Sequence, residues 1–360
     1  MRALFFFIFC SIVNIFFSDY ACTGIRLISS DGEVIYARTF EWRESLNSHI
    51  IFMPRNVKHI GTSINGIDGM EWYNPYAFTG ITIGKRPFLI DGVNEKGLSA
   101  GLFSFWDDIE YNLPDNDCDC HIAPWEVVNY ILSCCATVHD VYKCLDDIKI
   151  VPVYMEEVDE IPPLHYVVHD VQGNCIVLEH VNHTIKIYEN SLGVITNSPN
   201  FEWHLTNIST YINPFITFYK TIAHFDSKKI NFDHALGLPG DFSSPSRFIK
   251  ATIYSQCSLP SSTGFNAILQ AFHILNQFDI PVGAVRSMEK NFFTYTHWTS
   301  AANLAQKKYY FRTYENQRIR VIDLMHMNFD NKKPTWMCMN QKEDLDNVTD
   351  KIIDECNKDC

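Results

Sequence analysis

The chain has 360 residues, of which 46% are hydrophobic, 14% aromatic and 20% charged, and no segment is of low complexity. That composition excludes a disordered protein, and a chain of this length buries roughly three quarters of its unfolded surface without a staple. A formal net charge of −13 excludes a general electrostatic footprint for nucleic acid or anionic membranes. A chain starting at residue 22 keeps that charge, because Arg2 and Asp19 cancel.

At the N-terminus, Arg2 precedes an apolar run from Ala3 to Phe17, broken only by Ser11 and Asn14, and Ala21 supplies a small residue. This pattern predicts a secretory signal peptide over residues 1–21 and a secreted or periplasmic (extracytoplasmic) protein. The run is shorter than the roughly 20 residues of a membrane span, so no stable span is expected after processing. An uncleaved N-terminal anchor is the competing reading. Asp19 and Tyr20 depart from the pattern of a lipidated cysteine, the other fate open to Cys22. Cleavage after Ala21 leaves Cys22 as the first residue. An α-amino group with a pKa near 7.7–8, on the same residue as a thiol, joins a base to a nucleophile.

Next in order, Cys22–Ser29 reads as a strand, Asp31-Gly32 as a tight turn and Glu33–Arg38 as the returning strand. Pairing of the two brings Arg38 near Cys22, where a guanidinium favours thiolate over thiol. Glu41 could orient an α-ammonium. Helical periodicity marks Pro124–Cys134 and Val138–Ile148. Alternating strands follow at Leu164–Asp170, Cys175–His180 and Thr184–Tyr188, with Gly173 at the turn inside the first pair. Helical spacing returns at Gly264–Asn276, and strands at Phe293–Thr296, Lys308–Thr313 and Ile319–Leu324. The order is that of an α+β protein. No linker rich in Pro, Gly or Ser divides it. We expect a catalytic domain over residues 22–340 and a solvated, Cys-bearing tail over 341–360, which carries seven acids and three lysines.

Several blocks resemble the choloylglycine hydrolase family of conjugated bile acid hydrolases and penicillin V acylases, which are N-terminal nucleophile hydrolases. They are Cys22-Thr-Gly, Ala37-Arg38-Thr-Phe-Glu41-Trp42, Ile51-Phe-Met-Pro-Arg55 and Asp91-Gly-Val-Asn-Glu-Lys-Gly-Leu98. Further along come Gly193-Val-Ile-Thr-Asn197-Ser-Pro-Asn-Phe201, Leu238–Phe248 and Tyr309–Asn316. The resemblance implies a four-layer αββα sandwich. It also implies Cys22 as nucleophile and, through its amine, general base, with Arg38 and Arg247 in the polar network around it. Asn197 and the backbone N–H of Phe103 are implied as oxyanion donors. Glu41 stands where the family usually has Asp, one methylene longer. The resemblance further implies an amidase of small N-acyl amides that proceeds through a Cys22 thioester, with a homotetramer as a possible assembly. A secreted, non-catalytic binding protein of the same fold is the alternative, motivated by Glu41.

Trp42, Phe105 and Trp106 lie beside these motifs and are expected to touch a bulky acyl group, which leans the reading towards the penicillin V acylases. No cofactor is expected: no phosphate-binding glycine loop is present and the fourteen histidines form no ligand pattern. Setting aside Cys10 and Cys22 leaves ten of twelve cysteines, an even number that suits disulfides in an exported chain. Cys118-Asp-Cys120-His121 and Cys134-Cys135 match no common zinc spacing, so no metal is expected. Asn182, Asn207 and Asn347 head glycosylation sequons.

Overall fold

The computed structural model describes residues 21–349 except 85, 107–108, 116–117, 212–236 and 288–291. Residues 1–20, on which the expected signal peptide falls, and Cys356 and Cys360 lie outside the described residues. Strands β1 (Thr23–Ile28), β2 (Val34–Trp42), β3 (His49–Met53), β4 (Lys58–Thr62), β5 (Asp68–Tyr73), β6 (Phe78–Thr82), β7 (Asp91–Asn94), β8 (Ser99–Ser104) and β9 (His121–Ile122) come first. Helices α1 (Val127–Cys134) and α2 (Val138–Cys144) follow, then β10 (Lys149–Ile150), β11 (Leu164–His169), β12 (Cys175–Val181) and β13 (Thr184–Glu189). The remainder is α3 (Phe201–Ile208), α4 (Ser244–Cys257), α5 (Gly264–Leu275), β14 (Val285–Ser287), β15 (Phe292–Asn303), β16 (Lys308–Thr313), β17 (Arg320–Asp323) and β18 (Thr335–Cys338).

Two sheets carry the fold. One runs β1-β2-β15-β16-β17, with β14 on the edge of β15; the other runs β13-β12-β11-β8-β7-β6-β3-β18. Helices α4 and α5 pack on the first sheet and α1 on the second, so the layers read helix, sheet, sheet, helix. This is the expected α+β sandwich, closed over one large apolar core. The expected strands and helices are present with small shifts at their ends. Strands β3 to β10, β14 and β18, helices α3 and α4, and the length of β15 were not foreseen.

Strand β2 shows how the layers place chemistry. All nine of its residues are buried, because it is covered on both faces. Successive side chains point to opposite faces, so Tyr36, Arg38, Phe40 and Trp42 enter the space between the sheets while Thr39 and Glu41 face the helices. The β1–β2 register pairs Gly24 with Arg38 and Thr23 with Thr39, as the hairpin reading required. At the other end of the chain, Asn316 Nδ2 donates to Lys342 O at 2.9 Å and Arg318 pairs with Asp344 at 3.1 Å, which docks the start of the tail.

Candidate active site

Cys22 leads into β1 and is 2% exposed. It is brought beside Asn197 by a short two-way bridge: Gly24 N–H donates to Ile195 O at 2.8 Å and Ile195 N–H donates back at 3.1 Å. The approach requires glycine. A Cβ at Gly24 would stand 2.8 Å from Ile195 Cγ2 and 2.9 Å from Phe103 Cζ, closer than packed atoms come.

Asn197 is the hub. Its Oδ1 accepts from the Cys22 backbone nitrogen at 2.9 Å and from Arg247 Nη2 at 2.7 Å. Two donors at one oxygen fix which end of the amide is which. Nδ2 then donates to Ser104 O at 2.7 Å, leaving its second N–H for another acceptor. Ala21 still precedes Cys22 in this chain, so the nitrogen held by Asn197 is a peptide nitrogen; removal of residue 21 would turn it into the α-amine at the same place.

Arg247, on α4, spends every nitrogen on the site. Nη1 donates to Cys22 O and, at 3.0 Å, to Thr23 Oγ1, and Nε donates to Phe242 O at 2.9 Å. Burial lowers its pKa to about 10 against the opposing pull of Glu41 and Cys22. Arg38 lies in the sandwich interior with its guanidinium 3.9 Å over the Phe103 ring, and Nη1 donates to Leu102 O at 2.6 Å. Nη2 has no protein hydrogen-bond partner. Burial works against its charge, yet the Cys22, Tyr36, Asp91 and Glu41 groups around it hold its pKa above the ordinary value. For Cys22 itself, burial pushes the thiol up; Arg38, Arg247 and a hydrogen bond from the Glu41 backbone pull it down.

Glu41 reaches Cys22 through its backbone, while its carboxylate turns to the helix-facing side. Thr296 Oγ1 donates to it at 2.7 Å and Thr39 Oγ1 at 3.0 Å. Burial raises the Glu41 carboxyl to about 8, opposed by Arg247, the two threonines and Arg38.

Phe103 departs from expectation. It lies opposite His165 in the β8–β11 ladder, and Phe105, two residues on, donates its N–H to Pro163 O at 2.8 Å. By the two-residue period the Phe103 N–H also points at β11, away from Cys22. The edge of β8 that faces the site carries Leu102 O, taken by Arg38, and Ser104 O, taken by Asn197. The N–H on that edge nearest the cleft belongs to Ser104.

A cleft with about 460 Å³ of empty space opens at Cys22. Apart from Cys22 and Ser104 the described residues that line it are apolar, and Phe40, Trp42 and Leu46 follow Cys22 first in chain order. Trp42 is there as expected. Phe105 and Trp106 are not: Phe105 stacks on His165 at 4.7 Å, and Trp106, 41% exposed, donates its backbone N–H to Ser198 Oγ.

Beneath Asn197 lies a buried support that the histidine pattern did not reveal. His204 Nε2 donates to Asn197 O at 2.9 Å, and the Asn197 N–H donates to Ser244 Oγ at 2.9 Å. Burial lowers His204 to about 4, so it is neutral at neutral pH. His165 bridges Thr196 O at 3.1 Å and Glu179 at 3.2 Å, and Glu179 accepts from Phe201 N–H. On the other side, Asp91 accepts from Ser300 Oγ at 2.7 Å and Tyr309 OH at 2.6 Å, tying the sheets together behind Arg38. Only the Thr196-Asn197 and Asp91-Gly92 motifs hinted at these layers.

A family model for the linear amide C–N hydrolases, choloylglycine hydrolase family, matches residues 22–337, beginning at the proposed nucleophile. The chain belongs to the choloylglycine hydrolase family. Membership makes it a hydrolase of linear amide C–N bonds. The bile salt hydrolase/transferase of Clostridium perfringens (strain 13 / Type A) is 30% identical over 317 residues, covering 86% of this chain and 94% of that protein. A cysteine-to-alanine mutant of the conjugated bile acid hydrolase from Clostridium perfringens superimposes with a TM-score of 0.77 at 29% identity, covering 91% of this chain and all (100%) of the other. Penicillin V acylase from Agrobacterium tumefaciens shares the fold with a TM-score of 0.71 at 20% identity, covering 88% and 91% of the two chains.

Of the remaining cysteines, Cys118 and Cys120 are bridged, while Cys134, Cys135, Cys144, Cys175, Cys257 and Cys338 are free thiols among the described residues. Within the same residues no helix is long and apolar enough to cross a membrane, and no cluster of His, Cys, Asp and Glu could hold a metal ion.

Proposed function

We propose that the protein is an exported amidase that cleaves N-acyl amides with an uncharged, apolar acyl group, using Cys22 as an N-terminal nucleophile freed by removal of residues 1–21. One observation carries this reading: Cys22 sits at the junction of a wholly apolar cleft and a buried polar network whose members all converge on its backbone or thiol. In the proposed reaction the thiolate, held by Arg38, attacks the amide carbonyl and the carbonyl oxygen takes up the charge. The free N–H of Asn197 Nδ2 and the N–H of Ser104 receive that oxyanion. The C–N bond then breaks as the α-ammonium of Cys22 passes a proton to the departing amine, leaving a thioester and a free amine. Water, deprotonated by the α-amine, adds to the thioester, and its collapse returns the thiol and a carboxylic acid. Asn197 and Arg247 keep the amine in place throughout, since one accepts from the nitrogen and the other grips the adjoining carbonyl.

Among the described residues the cleft's lining holds no cation or carboxylate, which supports an apolar acyl side and a charge, where the substrate has one, on the departing amine. Both a bile salt hydrolase-like and a penicillin V acylase-like substrate satisfy that condition. The test is intact mass of the secreted chain, followed by turnover of a panel: phenoxyacetyl penam, glycine-conjugated bile acid and simple N-acyl glycines. A mature mass starting at Cys22, and turnover lost in Cys22→Ser, are expected. Equal turnover by both proteins, or a mature chain that keeps residues ahead of Cys22 and is still active, overturns the mechanism.

A further inference from the structure

Beside the cleft lies a second, larger pocket that opens to solvent, with about 1310 Å³ of empty space counted out to its mouth. Three side chains, Phe88, Trp125 and Met155, line both spaces. A wall shared in this way is one side chain thick. We propose that Phe88, Trp125 and Met155 form a partition that sets the length of the acyl group, and that the second cavity receives the distal end of a longer straight-chain acyl group once the partition is cut back. The inference rests on the amidase reading and adds what limits its substrate.

The local structure supports a wall carried on a firm backbone. Trp125 sits in a 3₁₀ turn at Pro124–Glu126, where the Glu126 carboxylate accepts from Thr62 N–H at 2.9 Å, Thr62 Oγ1 at 2.8 Å and Ala123 N–H at 2.8 Å. The turn is therefore held by Glu126 and not by the indole. The Trp125 and Phe88 rings stand 6.4 Å apart at 49°, a tilted contact with no side-chain hydrogen bond between them. Met155 is fastened through its backbone to Glu160, and its unbranched side chain is free of polar obligations. The two spaces also differ in character. Lys58, Arg86, Glu156 and Glu157 line the second cavity, so a chain crossing the partition would pass from an apolar pocket towards a polar, solvent-reaching mouth. Continuity with the nucleophile's cleft is what assigns the occupant: a chain anchored as an acyl group at Cys22 and pointing away from it meets this wall.

The experiment compares kcat/KM for N-hexanoyl and N-tetradecanoyl amides of one amine. The wild-type chain is expected to favour hexanoyl. Trp125→Ala and Met155→Ala are expected to raise the tetradecanoyl-to-hexanoyl ratio by at least about tenfold, the discrimination that even one methylene can give in an apolar pocket. Val158→Ala widens the first cleft without touching the second cavity, and should move the ratio less than about twofold. An unchanged ratio in both partition variants, with hexanoyl turnover retained, overturns the proposal and leaves the amidase reading standing. If the wild type turns over neither these two amides nor any member of the panel above, the amidase reading fails. The partition is then judged by calorimetry on Cys22→Ala protein, where adding Trp125→Ala must tighten tetradecanoate but not hexanoate; equal affinities with and without Trp125 reject it.

Discussion

Cys22 stands between two regions built on opposite principles. On one side Arg38, Glu41, Asn197 and Arg247 are buried to 1% exposure or less, and each makes hydrogen bonds to named backbone or side-chain atoms. On the other side the cleft offers apolar walls from several separate stretches of chain and almost no directional bonds. Charges taken out of water must be paired or hydrogen-bonded, so the polar side tolerates little displacement. Apolar contact is non-directional, so the cleft can change shape at moderate cost. The difference teaches where rate and selectivity should separate: the polar side governs the chemical step and the apolar side governs which acyl group reaches it.

Three substitutions probe that separation. Cys22→Ala should remove turnover by a factor on the order of 10⁶, the scale seen when a nucleophile is deleted, while the melting temperature stays within a few degrees. Steady-state hydrolysis together with a thermal scan checks both halves. Asn197→Ala should lower kcat by about 10²–10³ through loss of an oxyanion donor, and should also lower stability because Ser104 O and Arg247 lose a buried partner. A large rise in KM with kcat intact would place Asn197 in binding alone. On the apolar side, Leu46→Ala should raise KM about tenfold and leave kcat within about threefold, the signature of binding shared equally by ground and transition states. A fall in kcat as large as that of Asn197→Ala would erase the distinction between the two sides.

The smallest expected effect is a pH dependence of stability. Burial raises the folded-state pKa of Glu41 to about 8, from an ordinary value near 4.5. An acid with a raised folded pKa contributes stability that is fully present below the unfolded value and is lost as pH rises through the folded one. Glu41 should therefore make the protein less stable between about pH 4.5 and 8, with a slope of at most about 1.4 kcal/mol per pH unit. Denaturant unfolding of Glu41→Gln across that window should show a flatter profile than the wild type. Parallel profiles would mean that the carboxylate is charged throughout, held so by Arg247 and the two threonines.

Legibility in the sequence also divided along this line. Cys22, Arg38, Glu41, Asn197 and Arg247 stand in motifs that could be read directly, and the Asp31-Gly32 turn already placed Arg38 beside Cys22. The α4 helix that carries Arg247 was not read, because its buried residues run all round it, Ser244 and Lys250 included, and leave no apolar stripe. The long β15 was read only at its start, since the small residues Ser300–Ala302 show no alternation even though they lie between strands β2 and β16. His165, His204 and Glu179 gave no signal: their spacing in the chain bears no relation to their meeting under Asn197.

What the chain determined by itself was the inventory of chemistry and its local geometry: a thiol after a small residue, a hairpin, and motif residues in family order. Tertiary structure alone decided which way strand residues point. Phe103 pairs with His165 on a neighbouring strand, Ser104 lines the cleft, and the cleft's walls come from residues such as Leu46, Trp125 and Met155 and not from Phe105 and Trp106. The physical reason is the period of two along a strand. A strand's alternation is written in its residues, but which face meets the nucleophile is set by register against partners far away in sequence.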